Sequence, residues 1–257
     1  MKEKEILKRL RNDEDYYGDF GKQFLSNSDI KALTTRPRKF HAPVKVTQAM
    51  TEGRYYHQLI LEKEKAENFP IVDCTTRAVK VFKEYCADNN LDKQEVLLKK
   101  EAEAIQEMAD YTLQNITFFD FINDPSAQYE VPAIGEIGEG VMWKGKADIL
   151  TDKYVIDLKT SSDVWQFKDK AMFYFYHTQA YIYQILFKKP VIFLVTNKLK
   201  EIDKNKNSYY DLGLFTVSEN TMGLAEQKVG QAVASWRKWH APDSKEDLEN
   251  WIINTEI

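Results

Sequence analysis

Apolar and polar positions alternate most clearly over 143–160, WKGKADILTDKYVIDLKT. A period of two predicts a β-hairpin there: one strand over 146–150, a turn at 151–153, and a second strand over 154–158 rich in β-formers. Helical spacing governs most of what precedes it. Ile6, Leu7 and Leu10 give residues 1–18 a single apolar face amid dense charge, and this terminus is expected to fray. Ser26 to Asp29 offer an N-cap for a helix containing 30–33, which Pro37 stops. Tyr56, Leu59, Ile60 and Lys63 place a helix over 47–65. Residues 75–90 and 93–115 have no glycine and read as two structural helices, the second with Val96, Leu97, Ile105, Met108 and Leu113 between charges.

The rest of the pattern is strand, hairpin, helix, strand, strand, helix. Residues 129–134 form a strand carrying Glu130, 168–187 one aromatic-rich helix, and 191–196 a buried strand. A lysine-rich loop of low complexity follows, then a strand at 211–217 and helices at 219–240 and 245–253. This order implies one α/β domain over 1–257, a mixed sheet flanked by helices. Its parts are a charged segment at 1–25, a mostly helical part at 26–128, the sheet core with the candidate site at 129–217, and C-terminal helices at 218–257. No internal repeat, glycine-rich phosphate loop or nucleophile elbow is present.

Composition narrows the picture. The 257 residues can bury a full core, and 30% charged with 43% hydrophobic residues is an ordinary soluble balance. No apolar run reaches membrane-span length, and the start lacks a signal peptide's hydrophobic segment, so a cytoplasmic, membrane-free protein is expected. Two cysteines, Cys74 and Cys86, cannot build a four-cysteine zinc or iron–sulfur site. The net charge of −4, from 36 basic and 40 acidic residues, gives no global attraction to nucleic acid. Local patches at 36–39 and at Lys188, Lys189, Lys198, Lys200, Lys204 and Lys206 could contact phosphate, or be solvated loops.

The hairpin also carries chemistry. Residues two apart on a strand share a face, so Asp157 and Lys159 project together, and the partner strand can bring Asp148 alongside. Two carboxylates and an ammonium in one corner suit Mg²⁺ or Mn²⁺ and the hydrolysis of a phosphodiester. The alternative is a surface hairpin with ordinary turn charges. His57, alone in its helix, reads by pattern more readily as a packed or exposed side chain than as a ligand. Gln179 and Tyr183, four apart, share a helix face; the surrounding aromatics suit a core, but the glutamine could donate to a phosphate.

Assembled, these residues resemble the PD-(D/E)XK nuclease superfamily and, within it, the phage and prophage exonucleases similar to exodeoxyribonuclease VIII, over about residues 26–187. SNSDIKALTTRPRKF is similar to that family's opening helix, TEGRYYHQLILEKE to its Gly-x-x-x-His helix, and TTRAVKVFKEY to a spacer helix. GKADIL and YVIDLKT resemble the aspartate and Asp-x-Lys motifs, and HTQAYIY the Gln-x-x-x-Tyr of the exonuclease branch. Lys146-Ala147 stands where a proline usually precedes the first aspartate, and Glu130 fits the strand glutamate only loosely. The resemblance implies a PD-(D/E)XK nuclease-like core and a Mg²⁺-dependent exonuclease, with Mn²⁺ able to substitute. Its substrate would be the ends of linear double-stranded DNA, degraded 5′→3′ to leave 3′ single-stranded tails for recombination. Asp148, Asp157 and Lys159 would be catalytic. His57, Asp148, Asp157 and the Leu158 carbonyl would surround the metal, Gln179 and Tyr183 would position the scissile strand, and Glu130 is a further candidate. A homo-oligomeric ring around DNA, a single-strand annealing recombinase as partner, and a bacterial host cytoplasm are also implied. The rival expectations are a catalytically inactive DNA-binding or assembly protein on the same fold, and an endonuclease of the superfamily.

Overall fold

The computed structural model describes residues 2–138 and 140–253. Helices α1 (Glu3–Leu10), α2 (Asp13–Tyr17), α3 (Asn27–Thr35), α4 (Gln48–Leu61) and α5 (Lys63–Glu67) come first. A short strand β1 (Ile71–Val72), α6 (Lys80–Asp88), a second short strand β2 (Leu97–Leu98), α7 (Lys99–Gln114) and α8 (Ile116–Ile122) follow. Next are β3 (Gln128–Glu136), β4 (Met142–Leu150), β5 (Val155–Ser161), α9 (Phe167–Phe173), α10 (Tyr176–Phe187) and β6 (Val191–Asn197). The chain continues through β7 (Glu201–Ile202), β8 (Ser208–Tyr209), β9 (Leu212–Thr216) and α11 (Glu219–Trp239).

Five of the strands form one mixed sheet in the order β3-β4-β5-β6-β9. Only β5 and β6 run parallel, so the chain between them must cross over the sheet, and α9 and α10 make that crossover. Every residue of β6 is buried, as a central strand covered on both faces requires. Leu33, Trp143, Ala180, Ile182, Phe193 and Val229 pack on the face covered by α3, α10 and α11. Tyr56, Ile105, Met108, Phe118, Leu158 and Leu194 fill the other face beneath α4, α7 and α8.

Two devices set the helices against the sheet. Buried hydroxyls of Tyr56, Thr112 and Thr196 lie 2.8–3.0 Å apart and tie α4 to α7 and β6. On the opposite face α10 approaches β4 at Gly145, where a Cβ would stand 2.8 Å from Tyr183 Cε1 and 3.1 Å from Leu186 Cδ1.

The α/β expectation holds, and the N-terminal helix signals hold with it: Ser26 and Asp29 close a capping box on α3, and Thr47 caps α4. Other expectations need correction. Over residues 2–18 the helical face at Ile6, Leu7 and Leu10 forms as α1, and the segment expected to be a loose end is anchored through α2, with Tyr16 buried and Asp13 accepting from Lys146 and Lys65. The helix expected over 47–65 breaks at Glu62, whose φ of −140° is not helical. Residues 75–79 are not helical either, because Arg77 reaches across to Glu101 and the Val96 carbonyl. Within 93–115, Leu97 and Leu98 are extended and pair in parallel with Ile71 and Val72, so the helix begins at Lys99. Helix α8 had no counterpart in the sequence pattern. The single aromatic helix is two, separated at Phe175, which adopts φ +63°. The lysine-rich loop contains the β7–β8 hairpin. Of the C-terminal helices expected over 218–257, α11 forms; beyond it the described residues hold only a 3-10 turn at Leu248–Asn250, with Arg38 donating to the Leu248, Glu249 and Trp251 carbonyls. Residues 254–257 lie outside the described residues.

Because α10 rests directly on Gly145, a methyl group there must lift the helix. Gly145→Ala should lower stability by about 1–3 kcal/mol, read as a fall in the urea midpoint at unchanged slope. An unchanged midpoint would show that α10 is not held at this contact.

Candidate active site

Strand β5 carries Asp157 and Lys159 on one face, the face turned to α10. Asp157 is only 1% exposed. Its Oδ1 accepts from Gln179 Nε2 at 2.6 Å, and its Oδ2 meets the Lys159 ammonium as an ion pair while accepting no hydrogen bond. Lys159 also lies over the Tyr176 ring, 4.9 Å from its centroid. Burial pushes the Asp157 carboxyl up to about 6; the neighbouring Asp148 charge adds to this, and Lys159 opposes it. Burial works to lower Lys159, yet Asp157 and Asp148 hold its ammonium above the ordinary lysine value.

Asp148 sits where the hairpin opens. The β4–β5 register runs through Ile149↔Ile156 and Leu150↔Val155. Beyond it the Asp148 side chain replaces a ladder bond, its Oδ2 accepting from the Leu158 N–H at 2.8 Å. The same oxygen is 3.5 Å from His57 Nδ1 on α4. Opposite Asp148 on β3 stands Glu130, in the left-handed region at φ +51°, and these two are the opposed residues that the β3–β4 ladder skips. Ala147 packs on one face of the sheet and Ile149 on the other, so side-chain alternation slips at this point. An interruption of this kind re-aims a side chain. Burial raises Glu130 to about 8, with the charges of Asp148 and Glu62 acting in the same direction.

A cavity of about 560 Å³ is lined by His57, Glu130, Asp148, Asp157, Lys159, Gln179 and Tyr183. The structure thus brings together the seven side chains singled out in the sequence. Two of them are not placed as expected. Gln179 faces the cavity, but its amide is engaged by Asp157. Tyr183 is 8% exposed, and its hydroxyl donates to the Lys146 carbonyl at 2.9 Å, which makes it a bolt between α10 and β4. Leu158 contributes its N–H to Asp148, and its side chain is core.

Among the described residues no three His, Cys, Asp or Glu side chains converge tightly enough to cage a metal ion unaided. The donor set nevertheless fits a hard divalent cation, since Mg²⁺ keeps several waters and needs only one or two carboxylates. The sealed Asp157 Oδ2, without a hydrogen bond, is an acceptor of the right kind.

Sequence reasoning missed Lys146, whose buried ammonium donates to Asp13 Oδ1 at 2.6 Å, and Glu62, which also lines the cavity. Lys144, Lys146 and Asp148 recur at period two on a core strand, a signal that could have found Lys146; Asp13 left none. Lys144, buried beside them, donates to the Tyr16 carbonyl, and burial lowers it to about 8. Much of the basic patches is structural: Arg38 binds backbone carbonyls, and Lys198 and Lys200 pair with Glu52 and Glu107.

A family model described as a PDDEXK-like domain of unknown function (DUF3799) matches residues 21–245. The chain belongs to this family. The PDDEXK-like domain also resembles a crystal structure from Eubacterium rectale described as "Putative exonuclease", at 18% identity over 96% of this chain and 95% of that one. The TM-score of 0.59 marks a shared fold. A second solved structure, SSO0001, aligns over 80% of this chain and 84% of its own at 15% identity, with a TM-score of 0.29. No curated protein matches the PDDEXK-like domain. Among its described residues, no helix is long and apolar enough to cross a membrane.

Glu130 holds its proton more tightly in the folded chain than in the unfolded one. Its ionisation therefore costs stability as pH rises from the ordinary glutamate range towards 8. Glu130→Gln should stabilise the metal-free protein at pH 8 by on the order of 2 kcal/mol, with the gain shrinking as pH falls. Thermal melts in EDTA across that range check this, and a pH-independent effect would contradict it.

Proposed function

We propose that this PDDEXK-like domain is a divalent-cation-dependent deoxyribonuclease that degrades linear double-stranded DNA from its ends, 5′→3′, leaving 3′ single-stranded tails for recombination. The observation that carries the reading is the buried Asp157 carboxylate, set between Lys159 and Gln179 with Asp148 and His57 on the same cavity. Asp148 and Asp157 would hold Mg²⁺ or Mn²⁺, with His57 beside Asp148 and the Leu158 carbonyl next to Asp157 in β5. When bound, the ion supplies positive charge to a phosphate and its leaving oxygen.

The chain's own groups do the rest. Gln179 fixes the plane of the Asp157 carboxylate by occupying Oδ1, which leaves Oδ2 for a charged partner. Lys159 keeps its ammonium protonated, so it orients an attacking water as a donor and favours its hydroxide form by charge. Asp148, bound to the Leu158 N–H, keeps the two strands open at the width the site needs. The homo-oligomeric ring, the single-strand annealing recombinase partner and the bacterial host cytoplasm belong to the same proposal and rest on the sequence resemblance.

Linear duplexes labelled separately at their 5′ and 3′ ends, incubated with Mg²⁺, should release the 5′ label first, while covalently closed circles survive. Cleavage of the circles would favour an endonuclease. Asp157→Asn should lower turnover by about 10²–10³-fold or more without unfolding the chain. Lys159→Ala should also slow turnover, with Mn²⁺ binding retained in calorimetry. Wild-type cleavage by Asp157→Asn would remove this site from the reaction.

A further inference from the structure

A second hollow, of about 590 Å³, adjoins the catalytic cavity and shares His57, Lys159, Met50 and Gly53 with it. The two differ in charge. The catalytic cavity gathers Asp13, Glu62, Glu130, Asp148 and Asp157, whereas the second is lined by Lys159, Lys170 and Lys198 and by no carboxylate. Lys198 is answered by Glu52. Among the described residues Lys170 pairs with no carboxylate; it donates to Ser162 Oγ at 2.8 Å, Ser161 Oγ at 3.3 Å and the Asp163 carbonyl at 3.2 Å. An ammonium fixed in place without a counter-charge is suited to a phosphate.

Tyr174 and Tyr176 line the same hollow, and Phe173 continues the row of rings outside it, with Lys31 Nζ 5.4 Å from its centroid. Tyr176 lies over Lys159, Tyr174 follows with its centroid 5.9 Å from that of Tyr176, and Phe173 stands 5.0 Å further on. Exposure rises along this line to 54% at Tyr174 and 65% at Phe173. The left-handed turn at Phe175 produces the arrangement, because it divides what the spacing alone would make one helix and leaves Phe173 and Tyr174 in solvent. A flat ring in water can take a nucleic-acid base only if that base has left its stack, since a paired base already has both faces covered.

We propose that this hollow is a groove for an unpaired stretch of nucleic acid, with backbone phosphate at Lys170 and unstacked bases against Tyr174 and Phe173. The proposal rests on the nuclease reading and narrows it: the strand beside the reacting phosphates is single. Anisotropy of a labelled oligothymidylate of about 12 nucleotides, measured in EDTA with the full chain, tests it. Tyr174→Ala should weaken binding about tenfold or more, Tyr174→Phe should restore it, and Lys170→Ala should reduce the salt slope by about 0.7. A strand of abasic sites should bind wild type and Tyr174→Ala alike. Unchanged oligothymidylate binding in Tyr174→Ala, or an equal loss for the abasic strand, overturns the groove. Duplex cleavage with Mg²⁺ by the wild type, scored in parallel, separates the two claims. Cleavage with unaltered binding removes the groove and leaves the nuclease, whereas a Tyr174-dependent binding loss in a protein that fails to cleave duplex DNA with Mg²⁺ or Mn²⁺ removes the nuclease and leaves the groove.

Discussion

A carboxylate shut away from water must find replacements for the solvent it has lost, and Asp157 imposes that demand on everything around it. Its two oxygens are answered by different elements, Oδ1 by Gln179 from α10 and Oδ2 by Lys159 from its own strand. For Gln179 to reach, α10 must lie flat on the sheet. Gly145 permits that approach, and Tyr183 secures it through the Lys146 carbonyl. The parallel pairing of β5 with β6 forces the chain to cross over this face, so the crossover helix is also the one that can supply the amide.

The second half of the site is positioned from the opposite face. Tyr56, next to His57 on α4, is fixed by Thr112 and Thr196, and this sets the imidazole beside Asp148. Around these residues Glu130, Asp148 and Asp157 gather carboxyls in one cavity, and burial, with the Asp148 charge adding to it, raises both Glu130 and Asp157. Such an arrangement is unfavourable by itself, and the proposed cation would relieve it. The adjoining hollow has the reverse balance, so on the proposed reading an anionic polymer would meet lysines on one side and the acidic centre on the other.

Asp157 and Lys159 were legible in the sequence because a strand's period of two assigns each side chain to a face without reference to anything distant, whereas Asp148 lies where that alternation slips and its aim is set by the skipped pairing with Glu130. Helix α4 was legible through its Thr47 cap and apolar spacing. What escaped was set by contacts far apart in the chain. Asp13 reaches Lys146 across 133 positions, and the apolar pattern of residues 1–18 gives no hint of that pair. Arg77 unwinds the start of an expected helix to reach Glu101. The break at Phe175 follows no glycine or proline, so composition could not mark it. Tyr183 shows the converse: its spacing from Gln179 was read correctly as a shared face, but only the packing reveals that its hydroxyl closes on backbone.

The central claim is that Asp148 and Asp157 act as one cation site. Calorimetric titration of Mn²⁺ into the wild-type chain and into Asp148→Asn tests it without dependence on DNA or turnover. A saturable binding event in the wild type that Asp148→Asn weakens severely, with the fold intact by circular dichroism, is the predicted result. Equal Mn²⁺ affinity in the two proteins would contradict it.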